Sequence, residues 1–310
     1  MIEEVNGKTE LTKKNVRNVV DAVVGAITNT LKEELEMVKI MIRGVLLSVL
    51  VLVFGISCTA IAQAKKPVPE SVERKISIIS VYDNYQVNSN LTTGWGFGCV
   101  IRTPTKNILF DTGGSSSILL SNMEKMSVDP KDIDIVVISH IHMDHRGGLN
   151  GFLERNGNVK VYIPASFLDP IREKIKSYGA EYQDVKDSIQ ISDNVWTTGE
   201  MGTWIKEQSL VLDTKEGLVV ITGCVHPGVV SITEKAKQIL PDRNIYLVMG
   251  GFHLGSASDL ELKSIIKEFK KLGVKKVAPS HCSGDSFREL SKREYKKNYI
   301  EGGVGQIISF

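Results

Sequence analysis

The chain has 310 residues, 42% hydrophobic and 24% charged, an ordinary globular composition with material for one large α/β domain or two small ones. Its 38 basic and 36 acidic side chains leave a formal net charge of +2, so no global field points to nucleic acid or an acidic partner. Cys58, Cys99, Cys224 and Cys282 are too few and too scattered for a disulfide framework, and no CxxC pair marks a structural zinc site.

Residues 1–40 form an N-terminal extension in which Val16, Val19, Val20, Val23, Ile27 and Leu31 recur at helical spacing, predicting an amphipathic helix or helix pair over 11–33. That stretch resembles the N-terminal helices of the histone-like HU and IHF proteins. It lacks their DNA-clasping arms, so no nucleic-acid partner is expected. Residues 44–64 carry no charge and are about long enough to cross a bilayer. Lys39 and Arg43 precede them, and Ala62-Gln63-Ala64 gives a small-x-small pattern ahead of Lys65 and Lys66. The pattern predicts an apolar helix over 41–64, either a signal peptide cleaved after Ala64 or an uncleaved anchor. A start at Met37 or Met41 would suit a signal peptide. The mature chain is then exported, periplasmic or extracellular, or held at the membrane through 44–64 alone. Pro67 and Pro69 mark 65–74 as a linker.

From residue 75 to 310, short β-rich runs alternate with helical patterns. Strands are expected at 76–81, 97–102, 107–110, 133–138, 159–163, 210–213, 218–222, 245–249, 274–278 and 304–310. Helices are expected near 118–126, 167–178, 230–240, 259–272 and 285–296. Sheets covered by helices, a layered α/β fold, follow from that alternation.

The run 133–138 leads straight into Ser139-His140-Ile141-His142-Met143-Asp144-His145-Arg146. Alternation along an extended segment would put His140, His142 and Asp144 on one side, with the next turn returning His145 to the same point. Imidazole and carboxylate are the ligands that zinc, iron and manganese take. The other histidines, His226, His253 and His281, each follow an expected strand, which puts all six at one edge of the sheets. Asp111, in Leu109-Phe110-Asp111-Thr112-Gly113, also follows a strand, as a site residue or as a turn aspartate bonded to its own backbone. Arg146 is either a partner for a substrate carboxylate or phosphate or a solvated turn residue.

The HxHxDH run resembles the signature of the metallo-β-lactamase superfamily, from about residue 76 to the end. The resemblance implies a four-layer αββα sandwich with two divalent metal ions at one edge, zinc foremost and iron or manganese as alternatives. It gives Asp111 the role of the acid beneath the metals that orients a ligand. The segments GCVHPG, GGFHL and SHC, with LFDTGG, narrow the resemblance to the dihydropteroate-synthase-like branch, whose members are described as metal-dependent hydrolases or as a dihydropterin ribofuranosylaminobenzene phosphate synthase. This chain departs from better-known members because no histidine separates His145 from Cys224 and no bridging aspartate is evident. Cys224 stands where that aspartate is expected, as a ligand or as inert packing.

On this reading His140, His142 and His226 hold one metal and Asp144, His145 and His281 the other. A bridging water becomes hydroxide, Asp144 orients it, and His253 donates to developing negative charge. Hydrolysis of a small ester, lactone, amide or phosphoester is the first expectation. A transferase of the dihydropterin type is the second, with Trp95, Phe97, Trp196 and Trp204 as candidates for a pterin pocket. A non-catalytic metal-binding protein is the third.

Overall fold

The computed structural model describes residues 76–310 without a break and, before them, residues 21, 23–25, 27–32 and 34–39. The chain divides into two units, Met1–Glu70 and Ser71–Phe310. In the first, the described residues are helical, and Val23, Ile27, Leu31 and Leu35 are exposed; residues 11–20 of the expected helix lie outside the described residues. The segment 41–64 with its expected apolar helix, and the linker 65–74, lie outside the described residues. Among the described residues no helix is long and apolar enough to cross a membrane.

The second unit is built on two sheets. One has the order β13-β1-β2-β3-β4-β5-β6, formed by β1 (Ser77–Asp83), β2 (Phe97–Arg102), β3 (Asn107–Phe110), β4 (Ile135–Val137), β5 (Lys160–Pro164), β6 (Glu181–Val185) and β13 (Ile307–Ser309). The other has the order β12-β11-β10-β9-β8-β7, from β7 (Ile189–Ser192), β8 (Val195–Thr197), β9 (Leu210–Thr214), β10 (Gly217–Thr222), β11 (Ile245–Gly251) and β12 (Lys276–Ser280). Alternation along the strands sorts their side chains between layers. Ile108, Phe110, Ile135 and Val137 meet Leu210, Leu212, Val219 and Ile221 between the sheets. Leu109 and Val136 instead pack outward against helices α1 (Ser116–Lys125), α3 (Leu149–Arg155) and α4 (Asp169–Ser177) through Leu119, Phe152 and Ile175. Leu218 and Val220 pack outward against α5 (Val229–Ile239), α6 (Asp259–Lys271) and α7 (Asp285–Tyr295) through Ile232, Phe269 and Phe287. The result is helices, sheet, sheet, helices.

Helix α6 shows the local logic. Ser258 caps it by accepting from Glu261 N, Asp259 and Glu261 lie in the first turn, and Lys270 and Lys271 in the last, all favourable to the helix dipole. Leu262, Ile266 and Phe269 recur at spacings of three and four and bury one face, each contributing roughly 1.5–3 kcal/mol.

Several elements depart from the expected pattern. Strands β6, β7 and β8 were not legible, because β6 reads Glu-Tyr-Gln-Asp-Val with little apolar content and the others are only four and three residues long. Helices α2 (Met143–Arg146) and α3 sit in a glycine-broken stretch and lack a helical signature. The expected strand 133–138 contracts to Ile135–Val137, and 304–310 to Ile307–Ser309.

The long connection from β1 to β2 is tied down by Asn122 on α1. Its buried amide donates to Val81 O at 3.0 Å and Thr92 O at 2.8 Å, while its Oδ1 accepts from Thr92 N at 2.9 Å. Replacing Asn122 with alanine strands buried backbone groups and should cost roughly 1–3 kcal/mol. Urea unfolding measures this; an unchanged midpoint would show that water replaces the amide without penalty.

Candidate metal centre

Strands β3 to β6 run parallel to one another, as do β10 to β12. The carboxyl ends of these strands therefore deliver their loops to one edge of the molecule. Asp111 follows β3, the histidine-rich run follows β4, Cys224 and His226 follow β10, His253 follows β11, and His281 follows β12.

The extended conformation expected through Asp144 ends sooner. His142 (φ −65°, ψ 145°) is the N-cap of α2, and Asp144 and His145 lie within that single helical turn. The turn closes through Gly147 N to Met143 O at 2.7 Å, and His145 O accepts from Thr112 N at 2.7 Å and Thr112 Oγ1 at 3.1 Å. A helical turn, not strand alternation, brings Asp144 to the site, and the same turn carries His145. Gly96 (φ 139°) makes room for this turn, since a β-carbon there would lie 2.2 Å from Asp144 O.

One potential ligand atom from each of His140, His142 and His226 lies within 4.8 Å of the others, and the same holds for Asp144, His145, Cys224 and His281. A third group, Cys224, His226 and His253, overlaps both. His145 Nε2 stands 3.2 Å from His281 Nε2 and 3.1 Å from Cys224 Sγ, and Asp144 Oδ2 is 3.4 Å from His281 Nε2. His140 Nε2 is 3.1 Å from His142 Nδ1.

Hydrogen bonding behind the rings fixes where their lone pairs point. Asp111 accepts from Ser139 N and Ser139 Oγ, each at 2.7 Å, and lies 2.7 Å from His145 Nδ1. Facing a carboxylate, His145 Nδ1 carries the proton. Ser139 Oγ has given its hydrogen to Asp111, so it accepts from His140 Nδ1 at 2.9 Å. His281 Nδ1 donates to Asn84 Oδ1 at 2.8 Å, and the Asn84 amide donates to His281 O at 3.3 Å. In their neutral forms His140, His145 and His281 therefore turn unprotonated Nε2 atoms into the site. Two such lone pairs at 3.2 Å beside a carboxylate repel one another unless a cation lies among them, and His226 Nε2 is buried without a protein partner. This donor set fits divalent metal.

The sequence pattern described as the Metallo-beta-lactamase superfamily matches residues 99–240. A 7,8-dihydropterin-6-methyl-4-(beta-D-ribofuranosyl)-aminobenzene-5'-phosphate synthase of Methanocaldococcus jannaschii is 30% identical over 66% of this chain and 85% of its own. The chain belongs to the metallo-beta-lactamase superfamily. A second protein of that organism, of uncharacterized function, is 31% identical over 69% of this chain and 92% of its own. A solved metal-dependent hydrolase of the beta-lactamase superfamily has a TM-score of 0.64 at 28% identity, covering 76% of this chain and 99% of that one. The YhfI protein of Bacillus subtilis, at 14% identity and a TM-score of 0.56 over 76% of this chain and 100% of its own, shares the fold. The metallo-beta-lactamase fold implies divalent metal binding. His253 and His281, beyond the matched segment, return to the same edge on β11 and β12.

Electrostatics in this metallo-beta-lactamase centre follow from burial and close packing of like groups. Burial, reinforced by the neighbouring imidazoles, holds His140 far below its ordinary value and His226 at about 4. Burial also pushes His145 down, but the charge and hydrogen bond of Asp111 outweigh it and raise the ring. Asp144 is held below the usual carboxylate range: burial works against this, and proximity to His281 and His145 prevails. The bond to Cys282 raises His253 against its partial burial.

Glu207, Ser139, Asn84 and Cys282 were not read as site residues in the sequence. The buried carboxylate of Glu207 accepts from three consecutive backbone groups, Cys224 N and Val225 N at 2.8 Å and His226 N at 2.9 Å. This clasp holds Val225 at φ 57°, costly for a β-branched residue by about 1–3 kcal/mol, and so presents Cys224 and His226 together. Nothing in Lys206-Glu207-Gln208 separates it from a solvated loop. Arg146 donates from Nε to Ile141 O at 2.6 Å, bracing the ligand loop. Trp95 is 62% exposed, tilted against His281 at 5.0 Å between ring centres, and joins Tyr85, His253, Cys282 and Asp285 around a cavity of about 430 Å³. The other pterin-pocket candidates stand elsewhere: Phe97 is buried between the sheets, Trp196 packs against the outer core of the second sheet, and Trp204 is 96% exposed.

Asp111→Asn would set an amide N–H₂ against donors and should weaken metal affinity by roughly 10- to 100-fold, measured by competition with a chromogenic chelator. Equal affinity would remove Asp111 from its orienting role. The depressed values of His140 and His226 also give a sign for acid stability. Their contribution is present above about 6.5 and lost as pH falls towards about 4, because the unfolded chain takes up those protons first. His145 and His253, raised, act in the opposite sense, so a variant isolates one group. His226→Gln, without metal, should keep more of its stability between about pH 7 and about pH 5 than the wild type; equal losses by urea titration would contradict the assignment.

Proposed function

We propose that this chain is a metal-dependent hydrolase of small ester, lactone, amide or phosphoester substrates, with two divalent cations in its centre. His140, His142 and His226 would hold one, and Asp144, His145 and His281 the other. The convergence of unprotonated His145 Nε2 and His281 Nε2 beside Asp144 carries this reading. Imidazole nitrogen and carboxylate oxygen in these numbers suit zinc best, with manganese and iron as alternatives. Bound divalent cations lower the pKa of a coordinated water towards about 7 and polarise a substrate oxygen.

The chain's own side chains supply the remainder. Asp144, held ionised and half-buried, can accept the proton of an attacking water. His253 is exposed at the cavity rim, and its raised value favours the protonated ring that donates to an oxyanion. Trp95 offers a flat apolar wall to the part of the substrate that does not react.

A second reading, a transferase of the dihydropterin synthase type, is supported by 30% identity over 85% of the synthase relative. The two are separated by one preparation of the full chain, analysed for metal and loaded with zinc, manganese or iron. It is assayed against esters, lactones, amides and phosphodiesters, and for condensation of a dihydropterin with an aminobenzene partner. Hydrolysis of at least one class, abolished by chelator and reduced roughly 10²- to 10⁴-fold by Asp144→Ala, is the expected result. Condensation without hydrolysis would move the assignment to the synthase, and failure to bind any of the three metals would defeat both.

A further inference from the structure

Each half of the centre opens into its own cavity. His281, from the Asp144 group, lines the cavity of about 430 Å³ that holds Trp95, whereas His226, from the His140 group, lines a second of about 350 Å³. His253 lines both and is the one exposed imidazole of the six. A reacting carbonyl whose developing oxyanion faces His253 therefore sends one arm of the substrate into each cavity.

The two cavities differ in chemistry. Beside His226 the walls are Val225, Val229, Val230, Phe252, Leu254 and Ile265, all packed in or against the outer core of the second sheet, so this apolar wall is close-packed and preformed. Glu261 and Ser264, its polar members besides the histidines, are exposed on α6. Beside His281 the wall is aromatic and polar. Trp95 offers a ring face, and Tyr85 is fixed by the Arg288 guanidinium 3.6 Å from its ring centre and by donating its hydroxyl to Asp285 Oδ1 at 2.8 Å. Asp285 lines the same cavity, so a ring stacked on Trp95 finds a carboxylate within the same walls for a donor that it carries. A β-carbon placed on Gly228 or Gly255, one in each wall, would meet nothing closer than 3.8 Å and 4.0 Å, so both cavities are open there.

We propose that the substrate is a two-armed acyl ester or amide, with an aliphatic acyl chain in the cavity beside His226 and a donor-bearing aryl alcohol or aryl amine in the cavity beside His281. This rests on the hydrolase reading above and narrows it. Water adds to the acyl carbon, the bond from that carbon to the aryl oxygen or nitrogen breaks, and the proton given up by the water passes to the leaving atom.

Aryl esters of the straight-chain acids from acetate to octanoate, given to the metal-loaded full chain, test the first arm. In the wild type kcat/KM should rise by roughly two- to fourfold per methylene before levelling. Ile265→Trp, which fills the cavity, should cancel that rise. For the second arm, para-aminomethylphenyl esters should exceed para-ethylphenyl esters by roughly tenfold, an advantage lost in Asp285→Asn. Binding of the two products gives a readout without turnover. Para-aminomethylphenol should quench tryptophan fluorescence, less so in Trp95→Phe, with a Kd unchanged by saturating hexanoate. A flat chain-length series in the wild type, equal rates for the two aryl esters, or mutual exclusion of the two products would overturn the two-armed substrate and leave hydrolysis standing. No hydrolysis of any ester in the series by metal-loaded chain would overturn the hydrolase reading together with it.

Discussion

Three contacts to one buried carboxylate set the direction of the metal-facing rings. Asp111 at the end of β3 takes the amide and hydroxyl of Ser139 and the Nδ1 proton of His145, and through Ser139 it also fixes the tautomer of His140. The carboxylate is fully buried, so each of these contacts operates at low dielectric, and leaving any one unmade would be expensive. Its own backbone sits at φ 56°, a conformation that aspartate tolerates better than most residues. The strand that ends there, the loop that starts at Ser139 and the turn that carries His145 are thereby locked together.

Around that point the molecule divides its labour. The first sheet contributes the compact ligand run and the carboxylate beneath it; the second contributes single residues from three successive parallel strands. Positioning on the second sheet relies on a different device, a buried glutamate gripping three backbone amides, because isolated residues on separate loops have no neighbouring ligand to brace them. Val225, His253 and His281 all lie at positive φ, so the second sheet places its donors at a cost in backbone strain that the first meets only at Asp111.

Much of this was legible in the sequence, for definite reasons. His140, His142, Asp144 and His145 are close in sequence, and six histidines each following a strand form a pattern that one chain suffices to show. Most strands of the two central layers were legible because they are continuous apolar runs, whereas β6, β7 and β8 are polar or too short. Glu207 and Asn84 were not, because their roles are defined by partners 17 to 19 and 197 residues away, and an acid or amide in a polar loop has no local mark of burial. Met143 and Asp144 were read as extended because a histidine-rich run carries no periodicity of its own, and tertiary contacts through Thr112 and Gly96 start the turn earlier. The branch-level resemblance agrees with the similarity to a dihydropterin-type synthase, while the choice between hydrolysis and condensation lies in substrate contacts that the motifs do not encode.

The pairing of β13 with β1 bears on how the unit comes to exist in time. Ser309 lies opposite Ser77, so the first strand of the domain to leave the ribosome waits for the last to complete its sheet. His145 and His281 are 136 residues apart, and the early ligand run is made long before its partners on β10, β11 and β12. During synthesis the nascent chain therefore carries a cluster of strong donors with no second half to close over them. Contacts of such long sequence separation form late and slowly. A cation captured at the end of that process would bind a site that exists only in the finished fold, and its affinity would add directly to the stability of the whole.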